Sequence, residues 1–425
     1  MALAEVFERV AGPDAPVEFH AYDGSKAGPE NSPVKITVRS PTAVSYLAQA
    51  PGGLGLARAY VSGHLDVEGD MYAALARMLQ AQRMDMDFTG RLRLLRQLGG
   101  PRVLLPRVPP PPQEVRVNRR WLSGRRHSKA RDASAISHHY DVSNTFYGWV
   151  LGPSMAYTCA CYPSDGATLE EAQAHKFDLV ARKLGLTSGM RLLDVGCGWG
   201  SMVMHAAREY GVRALGVTLS HQQAAWAQQA INDAGLSGLA EVRHLDYRDV
   251  TETGFDAVSS IGLTEHIGKA QLPGYFSFLY GKLKPEGRLL NHCITRTDNT
   301  EPARRPDGFI YRYVFPDGEL EAPGHLVSLM HDAGFEVRHE ENLREHYAKT
   351  LAGWCANLDE HWDEAVAEVG EGTARVWRLY MAGSRLGFER NQIQLHQMLG
   401  VRLGPNGQSG MPLRPDWEPA ASAVR

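Results

Sequence analysis

The residues best suited to chemistry lie between positions 190 and 290. Asp194-Val-Gly196-Cys-Gly198-Trp199-Gly200 joins the apolar run LLDV to the helical stretch MVMHAAREY. Glycines at alternate positions allow a tight turn and let a ligand approach the backbone closely. The spacing is G-x-G-x-G, not the dinucleotide G-x-G-x-x-G, and alone it is a weak signal; a glycine turn with no ligand is the plain alternative. Its neighbours strengthen it. A second apolar run ends at Thr218-Leu219-Ser220-His-Gln-Gln223, where nucleotide folds place a ribose contact. Asp246-Tyr247-Arg248 follows a third run, where an adenine could be edged and stacked. Leu283-Lys-Pro-Glu-Gly287 then turns into Arg288–His292.

These segments need a frame. LLDVG (192–196), RALGVTL (213–219), FDAVSSIG (255–262) and GRLLNHCI (287–294) read as buried strands, with helical stretches such as QQAAWAQQAINDA between them. Strand and helix in alternation predict an α/β, doubly wound Rossmann-like sheet. Ligands of such sheets sit at the carboxyl ends of the strands, near the switch in strand order, and each motif falls at such an end. The order of the four segments resembles the class I S-adenosylmethionine-dependent methyltransferase fold, whose LKPGG-like turn is matched apart from Glu286. Glycine spacing and the late LKPEG turn disfavour a hydride-transferring dinucleotide enzyme. Where that fold usually has an acid for the ribose hydroxyls, this chain has none, and Gln223 is the substitute, able to accept and donate.

A chain of 425 residues exceeds one ordinary core, so two domains are expected. Residues 1–103 mix short alternations such as VKITV (34–38) with helical periodicity from about Met71 to Met84, a small N-terminal α+β domain with a lipid or membrane role in view. Residues 104–133 form a basic, proline-rich linker containing Pro109 to Pro112, which favour polyproline II. Residues 134–425 hold the catalytic domain. Net charge is −3, yet residues 91–131 carry twelve Lys or Arg against the single acid Glu114. The remainder keeps 33 basic and 47 acidic residues, a balance of −14. One basic stretch on an acidic body points to a local anionic partner. Five cysteines fit no zinc pattern, so no metal is expected, and a reducing cytoplasm is the simpler reading. Neither a signal peptide nor a membrane-spanning apolar run is legible.

Over residues 134–400, HHYDVSNTFYGWVLGPSMAYTCACY (138–162), LLDVGCGWG (192–200), TLSHQQ (218–223), EHIG (265–268), NHCIT (291–295), YVFPDG (313–318) and HYAKTL (346–351) together resemble the cyclopropane fatty acid synthases. That family includes the mycolic acid cyclopropane synthases and the actinobacterial enzymes that start 10-methyl (tuberculostearic) chains. AYDGS (21–25) and GLARAYVSGHLDVEGD (55–70) resemble its long, phospholipid-acting members. The resemblance implies that an acyl double bond attacks the sulfonium methyl of S-adenosylmethionine, leaving a carbocation, and that a bound bicarbonate ion then takes a proton. By motif the ion is held by Glu265, His292, Tyr347 and the N–H groups of Cys159 and Ile294. Cofactor contacts carry over to Tyr157, Thr158, Asp194, Gly196, Gly198, Trp199, Gly200, Thr218, Leu219, Ser220, Gln223, Asp246, Tyr247 and Arg248. Where the family has FPxGxLPS, this chain has Phe315-Pro-Asp-Gly318-Glu-Leu320-Glu-Ala.

A carboxylate aimed at a carbocation risks trapping it as an ester, so a small oriented anion is a sensible base. Glu265 and bicarbonate are both acidic, so one proton must lie between them. Tyr140, Phe146, Phe309, Tyr311 and Tyr313 are aromatics whose faces could stabilise a cation and exclude water. Each residue also has a bland reading. Cys159 alone is a small buried hydrophobe, His292 a satisfied core histidine, Glu265 a helix cap, Tyr347 a packed aromatic, and FIYRYVF an aromatic strand face belonging to the core.

The basic stretch also carries Leu92, Leu94, Leu95, Leu98, Leu104, Leu105 and Trp121, which suits docking on an anionic membrane. Nucleic acid ranks well behind, since few aromatics interleave the charges; a solvated linker is the plain alternative. The expectation is a cytoplasmic enzyme, peripheral on the inner face of the membrane, acting on phospholipid acyl chains. The N-terminal motifs lean toward a 10-methylene/10-methyl product over a cyclopropane, and a homo-oligomer stays open. The rivals are a methyltransferase of a small soluble metabolite and a non-catalytic lipid-binding protein on the same fold.

Overall fold

In VKITV, Ile36 and Val38 are buried while Lys35 and Thr37 are half-exposed, the period-two pattern of a strand with one covered face. The computed structural model, which describes residues 2–12, 14–81, 100–115, 127–129, 131–132, 143–300 and 308–417, places this segment in a small sheet. Strands β1 (Glu18–Ala21), β2 (Lys26–Ala27), β3 (Lys35–Val38) and β4 (Leu65–Glu68) lie in the order β2-β1-β3-β4. Phe19, Ile36, Val38, Tyr46, Tyr60 and Val67 fill its core with the neighbouring helices. The periodicity after Met71 becomes the helix Met71–Ala81.

The chain forms two compact units, and they interleave in sequence. The first comprises Met1–Asn118, Arg305–Pro316 and Trp354–Gly387; the second comprises Arg119–Arg304, Asp317–Gly353 and Phe388–Arg425. Two segments of the first unit thus come from the sequence half expected to be catalytic. The proline segment also departs from its reading as a linker. Tyr46 donates its hydroxyl to the Pro109 carbonyl at 2.8 Å, and Gln49 accepts the Val108 N–H at 2.9 Å. Glu114 is buried and clamped by Arg58 through two bonds of 2.6 Å. Proline's missing N–H leaves its carbonyls to side chains, and here those side chains belong to the first unit. FIYRYVF, expected as a strand face, begins as the helix Phe309–Tyr313. The rings of Phe309 and Tyr313, four residues apart, meet at 5.1 Å, a spacing that helix geometry favours over a strand.

The second unit holds the expected doubly wound sheet. β5 (Arg191–Val195), β6 (Arg213–Thr218), β7 (Ala240–His244), β8 (Phe255–Ile261), β9 (Leu283–Arg296), β10 (Glu336–Asn342) and β11 (Ile393–Val401) run in the order β10-β11-β9-β8-β5-β6-β7. β5 pairs in parallel with β6 and β8, and β8 with β9; β11 is antiparallel to both its neighbours. Successive residues serve opposite faces: Leu192 joins the cluster with Val203, Ala227 and Ile231, and Leu193 the one with Phe276, Leu279 and Met330. Burial on both faces is why these strands read as continuous apolar runs.

LKPEG, read as a turn before the strand, is an irregularity within β9. Leu283 pairs with Phe255, and pairing resumes at Arg288 with Ala257. Glu286 takes a positive φ of 64°, its N–H donating to the Arg402 carbonyl at 2.6 Å. The extra residues bulge out of the β8 ladder and pair with the chain beyond β11.

Candidate functional site

Sequential strands leave β5 on opposite sides, toward β6 and toward β8, so the switch in strand order lies between β5 and β8. The glycine loop closes β5 there. Gly196, Gly198 and Gly200 have φ of 73°, 55° and 77°, which explains glycine at all three. A Cβ on Gly198 would meet only the Gln223 amide nitrogen, at 4.0 Å, so open space lies over the backbone, as a close-bound nucleoside needs.

Gln223 is buried and its carbonyl is already engaged. Thr218 Oγ1 donates to Gln223 Oε1 at 2.8 Å, and Ser220 caps the helix His221–Asp233 by accepting the Gln223 N–H. The Gln223 NH2 is the group facing the loop, so it offers donors there. The Leu219 carbonyl meets His244 Nε2 at 3.1 Å.

Asp194 is buried, accepts from Ser259 Oγ at 2.6 Å, and burial pushes its carboxyl up to about 7. Asp246 holds Arg248 through bonds of 2.8 and 2.6 Å and accepts the Arg248 N–H at 2.9 Å, so this pair is locked together at the end of β7. The Tyr247 ring meets Tyr275 and Phe278 edge-on at 5.2 and 5.3 Å. Trp199 is nearly fully buried, donates to Asn144 Oδ1 at 2.9 Å and packs on Tyr147 at 4.7 Å; its ring is scaffold under the loop.

The strap 157–162 is held from two helices. Gln173 and Lys176, on the helix Leu169–Leu184, reach the Thr158 carbonyl (2.9 Å) and its Oγ1 (2.7 Å). Thr350 and His346, on the helix Arg344–Glu360, accept the N–H groups of Ala160 (3.0 Å) and Tyr162 (2.9 Å). Burial pulls Lys176 down to about 8 and keeps the Cys159 thiol well above its ordinary value, hence neutral.

Glu265 and His292 lie toward the carboxyl ends of β8 and β9. Glu265 sits in the short helix Thr264–Ile267 directly after β8. Its Oε1 accepts the Ile294 N–H at 2.6 Å, while its buried Oε2 has no partner among the described residues. The Ile294 N–H, expected to face an ion, is engaged by Glu265 in this structure. Burial raises Glu265 to about 7. His292 is fully buried, and burial, with Lys176 and Lys183 nearby, holds it well below its usual range, so the ring is neutral. Gln397 contacts its Nδ1 at 3.2 Å, and its Nε2 has no partner among the described residues.

Leu343 links the remaining two expected residues. Its carbonyl faces Cys159 Sγ at 3.8 Å and accepts the Tyr347 N–H at 3.1 Å. Its N–H donates to Leu395, which pairs with Ile294. Tyr347 is buried with its ring 4.5 Å from Phe388. Of the expected aromatics, Tyr140 lies outside the described residues, Phe146 is fully buried, and Tyr313 donates its hydroxyl to Glu114 in the first unit at 3.2 Å. Among the described residues, no group of His, Cys, Asp and Glu is arranged to hold a metal.

Sequence reading missed Lys176, Lys183, Gln397 and Thr350. Their signal was faint but present: Lys176 and Lys183 are seven residues apart on the helix side that also carries the buried Ala172, Leu179 and Val180.

The chain resembles known proteins in sequence and fold. Residues 127–398 match the mycolic acid cyclopropane synthetase family. A probable fatty acid methyltransferase of Mycobacterium tuberculosis is 54% identical over 99% of both chains, and one of Pseudomonas putida is 38% identical over 93% of this chain and 94% of its own. Among solved structures, the cyclopropane synthase MmaA2 from Mycobacterium tuberculosis is 33% identical with a TM-score of 0.60, covering 63% of this chain and 98% of its own. The mycolic acid cyclopropane synthase CmaA1, complexed with SAH and CTAB, matches with the same identity, score and coverage. The second unit is thus a class I methyltransferase fold, and the chain belongs to the mycolic acid cyclopropane synthetase family.

Proposed function

We propose that this chain transfers a methyl group from S-adenosylmethionine to the double bond of unsaturated fatty acyl chains carried by membrane phospholipids. The observation that carries the reading is the Glu265 carboxyl. One of its oxygens is fixed on the Ile294 N–H and the other is buried without a partner among the described residues, at the strand ends where His292 also has a nitrogen unpartnered among them. A chain alike over its whole length to probable fatty acid methyltransferases supports the substrate class.

Bound S-adenosylmethionine supplies an electrophilic sulfonium methyl. The positive-φ glycines would keep side chains away from it, and the Gln223 NH2 would donate to its ribose hydroxyls. The acyl double bond would attack that methyl as the sulfur–carbon bond breaks, leaving a neutral thioether on the cofactor side and a carbocation on the chain. Buried walls exclude water from that cation. Glu265 and His292 suit a small anion such as bicarbonate. A carboxyl near 7 keeps a proton to share, and a neutral imidazole adds an N–H donor. Loss of a proton from the new methyl closes a cyclopropane; loss from elsewhere leaves a methylene or a shifted alkene. The N-terminal motifs favour the 10-methylene outcome.

The basic stretch would dock the enzyme as a peripheral protein on the cytoplasmic face of an anionic membrane. Leu104 and Leu105, inside it, are exposed at 39% and 66%, as interfacial residues need to be. Among the described residues, no helix is long and apolar enough to cross a membrane.

Mass spectrometry of phospholipids from cells with and without the gene tests the reading. An acyl chain heavier than its unsaturated precursor by one CH2, present only with the gene, is expected, and fragmentation assigns methylene or cyclopropane; two further hydrogens would mark a methyl branch made by a separate reductant. Unchanged lipids alongside a methylated soluble metabolite would reject it.

A further inference from the structure

Three adjacent strands bring three polar residues into one row. Glu341 of β10 lies opposite Gln397 of β11, which lies opposite His292 of β9. Gln397 and His292 are fully buried, and Lys183, also fully buried, descends on the row from the helix Leu169–Leu184. Lys183 pairs with Glu341 and reaches Gln397 Oε1 at 2.7 Å.

Donor and acceptor chemistry determines the rest. An ammonium can only donate, so the Gln397 atom it meets must be the carbonyl oxygen. The amide is thereby oriented, and its NH2 faces His292 Nδ1 at 3.2 Å, with its second hydrogen toward Cys161 Sγ at 3.8 Å. An NH2 can only donate, so Nδ1 must accept. The single proton of a neutral ring is then on Nε2, the nitrogen that has no partner among the described residues.

We infer that Lys183 and Gln397 are positioning residues that fix His292 as its Nε2–H tautomer, so that the ring presents a hydrogen-bond donor at the reaction site. Glu341 holds the lysine at the head of the row. Without Lys183 the amide could rotate by half a turn, present its carbonyl to Nδ1, and draw the proton to that side. His292 would then show an acceptor where an anion has to sit. The consequence for rate rests on the role proposed for His292; the tautomer does not.

The test is nitrogen NMR on the full chain labelled at histidine, with His292→Ala assigning the signal among 17 histidines. In the wild type, His292 Nδ1 should give a pyridine-type shift and Nε2 a pyrrole-type shift. Gln397→Glu is close to isosteric, keeps a partner for Lys183 and accepts at both oxygens, so it should move the proton to Nδ1. Lys183→Met should give a mixture of tautomers. Turnover in Gln397→Glu should fall at least about tenfold, the scale for losing an outer hydrogen bond to an active group, with the KM for S-adenosylmethionine held within about twofold. A protonated Nδ1 in the wild type, or a Gln397→Glu spectrum and turnover like the wild type's, would overturn the inference. The wild-type spectrum decides even where a variant fails to fold. If withdrawing bicarbonate leaves wild-type turnover unchanged, the proposed base is wrong while the tautomer assignment stands.

Discussion

Glu265 is expensive to keep in place, and the expense marks its use. Burial raises its carboxyl to about 7 against an ordinary value of 4.5, so the folded protein binds a proton there that the unfolded chain releases. Its contribution to stability is therefore fully present below about 4.5 and is lost as pH rises through about 7. Glu265→Gln should remove this loss, melting higher than wild type at alkaline pH, while kcat drops by about a hundredfold or more, the scale of a lost acid–base group. Thermal scans across pH, paired with turnover and calorimetric cofactor binding, check both signs. Wild-type turnover should also decline above pH 7 on this group's account, since an ionised Glu265 repels the anion it must hold. Gln223 makes a milder prediction. Its NH2 faces the glycine loop, so Gln223→Leu should weaken S-adenosylmethionine binding by about two- to twelvefold, one hydrogen bond's worth, read by calorimetry. Glu265 and His292 were legible because short motifs surround them. Lys183 and Gln397 were not, because their meeting spans 214 residues and depends on a strand register no local pattern encodes.

The strap and the glycine loop matter as elements. Thr350 accepts the buried Ala160 N–H, so Thr350→Val should orphan that donor and cost about 1–3 kcal/mol. A melting temperature unchanged by that substitution would mean the strap is fixed elsewhere. Gly198→Val puts a β-branched residue at φ 55° and a side chain into the open space over the loop. Cofactor binding on folded mutant protein should be lost, and undiminished binding would move the cofactor off this loop. Strands β5, β6, β8 and most of β9 were readable because burial on both faces makes them apolar throughout. FIYRY was misread because aromatic residues favour strands in general, whereas its Phe309–Tyr313 pair is satisfied four residues apart on a helix. LKPEG was read as a turn because Pro and Gly punctuate it; pairing beyond β11 instead absorbs it as a bulge, with Glu286 at the positive φ where the family's turn has glycine.

At the scale of the whole molecule, charge is the readable feature. The twelve basic residues of 91–131 stand in a chain of net charge −3. Lys129 pairs with Asp249, and Arg131 with Asp317 at 2.6 Å, so these two are engaged within the second unit. Arg119, Arg120, Arg125 and Arg126, which lie outside the described residues, are the ones proposed to meet lipid. Replacing all four with Gln should reduce co-sedimentation with anionic vesicles. Wild-type binding should itself fade as salt shortens the Debye length from roughly 10 Å at 0.1 M to 3 Å at 1 M. Equal binding to neutral and anionic vesicles would reduce the stretch to a connector. The interleaving of the two units was not legible, because no composition shift marks 305–316 or 354–387 as belonging with the N-terminal residues. The central claim, methyl transfer to an acyl double bond at the Glu265–His292 site, is tested most directly by isotope. Wild type and Glu265→Gln are each incubated with S-adenosylmethionine labelled at its methyl and with vesicles of cis-unsaturated phospholipid, and the acyl chains are examined by mass spectrometry. One labelled carbon per modified chain with wild type, and little with Glu265→Gln at full cofactor occupancy, is the predicted result; acyl chains free of label with wild type, or equal labelling by both proteins, would contradict it.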